Sequence, residues 1–174
     1  MRIDDSFFSA DVDRLSVLVR SAGRARTQDV FAISLIRLSS VATAQEQIKL
    51  LRVIQIALNA IEPQRLGADY GLPTVYLLRK LFREGEPELR RVIVDVLGLL
   101  FLAVNGYFSN VDDQIRDFFD EAKADSDDYV KSSATDVLSE GGLLNRPKPQ
   151  ELFIRPLWQK HWQKPVGKLK ASRA

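Results

Sequence analysis

Residues 88–97 read ELRRVIVDVL, and segments of the same kind stand 41 residues to either side: QIKLLRVIQI at 47–56 and YVKSSATDVL at 129–138. Ile48, Leu89 and Val130 fall in register, as do Lys49, Arg90 and Lys131, and again Ile56, Leu97 and Leu138. Asp95 and Val96 return as Asp136 and Val137. The helices before these segments follow the same shift, Ile36 meeting Leu77 and Phe118. Apolar residues recur here every three or four positions, the period of a helix and not of a strand. One helical pair cannot bury its apolar face alone, so copies at a fixed spacing of this size bury it by stacking. The expected fold is all-α: a right-handed α-α superhelix, a solenoid of about seven helices with a C-terminal tail.

Breaker and cap residues set the expected boundaries. A helix over 11–22 ends at Gly23, and Thr27 or Asp29 caps a second that runs to Leu38. Thr43 and Glu46 have capping-box spacing for a helix reaching Ile61, with Pro63 after it. A loop over 64–71 carries two glycines, and Pro73 opens a helix to Arg83. Gly85 breaks the chain before a long helix over 87–104, which Asn105 and Gly106 end. Two more helices are expected over 111–124 and 127–139, closed by Gly141 and Gly142. Leu51, Ile54, Leu78, Leu81, Val92, Val96, Leu97 and Phe118 are the expected core. The run LGLLFLAV at 97–104 is apolar all round, so it needs cover from a neighbouring helix, the tail or a partner.

Gly71-Leu72-Pro73, followed by Leu77, Leu78 and Leu81, resembles the second helix of an armadillo repeat. Residues 88–97 resemble the long third helix that follows it. Asp127 to Lys131, with Ala134, Val137 and Leu138, resembles the second helix of a HEAT repeat. The resemblance to this superfamily spans residues 29–140 and implies a scaffold or adaptor role. The chain departs from importin-like armadillo proteins in lacking a regular ladder of Asn and Trp. Asn59 and Asn105 alone stand near that role, in unmatched registers.

Composition narrows the chemistry. The chain has no cysteine, which excludes disulfides and thiolate metal sites. The start, MRIDDSFF, has acids where a signal peptide needs bases, and residues 92–104 are too few to span a bilayer. An intracellular protein is expected, cytoplasmic or nuclear, with no membrane partner. The single histidine, His161, lies far in sequence from any acid cluster that could orient it for catalysis. No Walker loop or nucleophile elbow is present. Asp125, Asp127 and Asp128 lack the Gly and Glu of an EF-hand loop, so they read as helix-capping acids. No enzyme activity, cofactor or metal is expected.

Charge is uneven. Ten acids oppose three bases over residues 112–140, a net of −7, and residues 141–174 carry +7. The repeat domain is expected over residues 1–142 and the basic, aromatic tail over 143–174, with a stiff linker over 145–150 that holds the prolines at 147 and 149. On the first long helix Gln45, Lys49, Arg52, Gln55 and Asn59 form one polar stripe on an otherwise apolar cylinder. Glu88, Arg91 and Asp95 continue it on the next. A solenoid binds along its concave face, so the expected contact residues are Lys49, Arg52, Gln55, Arg91 and Asp95. Trp158 and Trp162 lie four apart in the tail and complete the set as interface anchors. The expected function is that of a non-enzymatic adaptor holding another protein. Nucleic acid is the alternative partner, since Arg79, Lys80, Arg83, Arg90 and Arg91 are among the bases able to track phosphates.

Overall fold

Helix-forming segments between strong breakers give this chain eight α-helices and no strand among the described residues. The computed structural model describes residues 3, 5–21, 23–61, 66–104 and 108–139. The helices are α1 (Asp5–Ser9), α2 (Val12–Ser21), α3 (Gly23–Leu38), α4 (Ala44–Leu58), α5 (Leu72–Glu84), α6 (Pro87–Val104), α7 (Ser109–Ala122) and α8 (Asp128–Leu138). The tail from 143 onward lies outside the described residues. No described helix is long and apolar enough to cross a membrane.

The caps expected at Thr43 and Asp127 act where the sequence puts them. Thr43 Oγ1 accepts the amide of Glu46 at 3.3 Å and donates to its carboxylate at 2.8 Å, fixing the start of α4. Pro73 lies in the first turn of α5, and Gly85 ends that helix. Asp127 caps α8 by accepting the amide of Val130 at 3.1 Å. Gly23 joins α2 to α3 with φ of +77°, where an L side chain would be strained although its Cβ would meet nothing within 4 Å.

Three boundaries differ from expectation. The helix α1 makes the count eight, not seven; five residues are too few to display a period. Phe7 and Phe8 anchor it in the core, and the Arg37 guanidinium covers the Phe8 ring at 4.3 Å. The second helix starts at Gly23, ahead of Thr27, whose hydroxyl bonds back to the Gly23 carbonyl at 3.0 Å instead of capping. The expected loop over 64–71 is, from Gly67 on, a π-helical turn running straight into α5. Tyr70 of that turn packs edge-on against Phe31 of α3.

Packing orders these helices. α2, α3 and α4 pack on one another; α4 packs on α6, and α6 on α8. α5 packs on α7, and both contact α6. All eight expected core residues are buried. Phe82, Phe118 and Phe119 form a chain of edge-to-face rings between α5 and α7. Leu97, Leu100, Phe101 and Val104 are buried. The 41-residue register fails at Ile36, which is 70% exposed while Phe118 is fully buried.

The register also shows how α8 differs from α4 and α6. Leu51 of α4 and Val92 of α6 are buried, and so are Val53 and Val94. The residues at the same positions of α8 are Ser133 and Thr135, and Thr135 is exposed, its hydroxyl bonded to the Lys131 carbonyl at 2.8 Å. Hydroxyl residues replace the apolar ones where no further described helix follows.

Candidate functional site

The polar stripe of α4 is partly drawn into the protein. Gln45 is exposed, Lys49 and Arg52 are half-buried, and Gln55 is 4% exposed instead of facing a groove. Arg52 donates to Gln55 Oε1 at 2.9 Å, and Asn59 Nδ2 donates to the Gln55 carbonyl at 3.0 Å. Gln55 Nε2 and Asn59 Oδ1 remain buried without a hydrogen-bond partner. No carboxylate among the described residues pairs with Lys49 or Arg52. Shifted by 41, Arg52 corresponds to Ile93 and Ala134, and Gln55 to Val96 and Val137, all buried and apolar. The first long helix thus carries polar groups where the other two carry core.

Arg91 and Asp95 are used differently. Arg91 Nε and Nη2 donate to the Asp127 carboxylate at 3.0 and 2.8 Å, and the Tyr129 hydroxyl donates to Asp95 at 2.8 Å. The hydrogen bond from Arg91 holds the Asp127 carboxyl below its usual range, against the opposing effect of burial. Beside it, Arg90 donates to the Gly85 carbonyl at 3.0 Å and to Asp125 at 3.2 Å. Its Nε also lies 3.0 Å from the Asp125 carboxylate, too far off line for a hydrogen bond. These contacts fasten α6 to α8 and to the turn before it. By the same register Arg91 and Asp95 correspond to Leu50 and Ile54, not to Lys49 and Arg52. The stripe expected to run from α4 to α6 therefore consists of two separate sets on different sides of equivalent helices.

A third polar cluster joins α5 to α7. Arg79 and Arg83, one turn apart, both bond the carboxylate of Glu121 at 2.8–3.1 Å. The bond from Arg83, with Arg79 adding to it, holds the Glu121 carboxyl below its usual range. Beside this cluster Tyr76, Arg79, Lys80, Arg83 and Glu84 line an open cleft of about 460 Å³. Sequence reasoning named both arginines as phosphate contacts and missed their acid. The i, i+4 spacing signalled a shared face, but a partner 38–42 residues away leaves no local trace.

Trp158, Trp162 and His161 lie outside the described residues. Among the described residues no group of three or more His, Cys, Asp or Glu could hold a metal ion. No family model matches the chain, and neither the curated proteins nor the solved structures yield a match.

Proposed function

We propose that this chain is a non-enzymatic binding module, a right-handed superhelix of stacked helical pairs of the armadillo or HEAT kind, which holds another protein. The order of contacts α4 to α6 to α8, with α5 against α7, supports that path. The contact surface is the basic side of α4, centred on Lys49 and Arg52. One observation carries it: Arg52 is half-buried with no carboxylate among the described residues, while Arg79, Arg83, Arg90 and Arg91 each have one. A partly desolvated guanidinium without a counter-charge favours an acidic group brought by a partner. Arg91 and Asp95 then act by holding α6 to α8, and the tail tryptophans remain candidate anchors. The same pairing weakens the nucleic-acid reading, since four of the arginines it would draw on are already bonded to acids.

The experiment compares proteins retained by the immobilised full chain with those retained by a Lys49→Glu, Arg52→Glu variant, identified by mass spectrometry. The expected result is a partner bound by the first and lost by the second, with equal helical circular dichroism. Identical retention by both would remove α4 from the interface. Retention of nucleic acid, with an affinity that collapses steeply as salt rises, would favour the alternative.

A further inference from the structure

Three arginines of this chain take a carboxylate on the same edge of the guanidinium. Arg79 and Arg83 reach Glu121, and Arg91 reaches Asp127, each through Nε and Nη2. Arg90 divides its nitrogens, with Nη1 on the neutral carbonyl of Gly85 and Nη2 on Asp125. Arg52 is set up in the same way as far as its own helix can take it. Its Nη1 is held by the neutral Oε1 of Gln55 at 2.9 Å, while Nε and Nη2 make no hydrogen bond among the described residues. Lys49 stands one turn before it, as Arg79 stands one turn before Arg83. The one acid of α4, Glu46, is engaged by Thr43 at the start of the helix.

The surroundings of Arg52 are those of a helix contact. Ile48 and Ile56, four residues before and after it, are half-buried against the core. Shifted by 41, Arg52 and Ile56 fall on Ile93 and Leu97 of α6, both fully buried, so the equivalent side of that long helix belongs to the core. Between α5 and α7 the shared carboxylate is accompanied by an apolar contact one turn away: Phe82, three residues after Arg79, meets Phe118, three before Glu121, with ring centroids 4.9 Å apart. An extended segment would bring unpaired main-chain groups against Ile48 and Ile56, where the side-chain amides of Gln55 and Asn59 are turned to α4 itself. A helix pairs its own main chain and brings only side chains. We propose that the partner lays an amphipathic helix along this side of α4, seating one carboxylate on the Nε–Nη2 edge of Arg52 beside Lys49. Apolar residues three or four positions before and after that acid cover Ile48 and Ile56. The inference rests on the reading of α4 as the contact surface and names the chemistry of what binds there.

Selection from a displayed library of random 16-residue peptides on the immobilised full chain tests it. The expected peptides carry Glu or Asp with apolar residues three or four positions to each side and no proline between them. Synthesised singly, such a peptide should bind about tenfold or more weakly once its acid is changed to Gln, a comparison that leaves the protein unaltered. The same loss is expected against an Arg52→Glu chain of unchanged helical circular dichroism. Acidic peptides without helical spacing, or with proline beside the acid, would overturn the helical ligand while leaving α4 as the surface if Arg52→Glu abolishes their binding. Peptides that bind the Arg52→Glu chain equally well would overturn both readings. A library that yields no binder overturns this proposal.

Discussion

Gln55 is polar where its counterparts Val96 and Val137 are core. A buried amide nitrogen without a partner costs stability, because water satisfied it in the unfolded chain. Gln55→Leu keeps nearly the same volume and removes that group, so it should raise the urea midpoint, by about 1 kcal/mol in stability. A lowered midpoint would mean that the bond from Arg52 outweighs the unpaired nitrogen. The sequence contained this information in a form that a helix-face reading passes over. A polar stripe reads as solvent-facing, whereas the 41-residue register sets Gln55 among valines. Asp127 was legible as a cap from its place before a helix, but its bond to Arg91, 36 residues earlier, was not.

At the scale of elements, charged groups hold α7 to α5 and α8 to α6. The depressed carboxyls of Glu121 and Asp127 give the sign of the pH dependence. A carboxyl whose folded value lies below its unfolded one contributes stability above the ordinary carboxylate range of about 4, and that contribution is lost as pH falls through the folded value. Acid should therefore loosen the α7–α8 end, and Glu121→Gln should flatten the acid limb of stability measured by urea unfolding at several pH values. An unchanged limb would show that Arg79 and Arg83 contribute nothing through this carboxylate. Helix positions were legible because Gly, Pro and capping residues act locally. The extra helix α1 and the π-helical turn were not, since one is too short to show a period and the other interrupts it.

At the scale of the molecule, one apolar core links the described helices, and Leu97 lies fully buried in it near the middle of the chain. Leu97→Ala should cost about 2–5 kcal/mol, and a single urea transition followed by both circular dichroism and aromatic fluorescence would show the loss shared by the whole domain. An unmoved midpoint would contradict the burial. The all-α class and the core were legible because periodicity reports which face is apolar. The contacts between helices were less so: two steps of the 41-residue shift that aligns the long helices pair exposed Ile36 with buried Phe118.

The hydroxyl residues on α8 have a consequence for assembly. A helical stack whose two ends matched would let one molecule continue into the next, and head-to-tail joining that does not close produces open filaments. Ser133 and Thr135 offer an arriving helix no apolar seat of the kind Val92 and Val94 provide. Any helix laid against this side of α8 would therefore bury less apolar area than one laid against Val92 and Val94, and would be held less firmly by the hydrophobic effect.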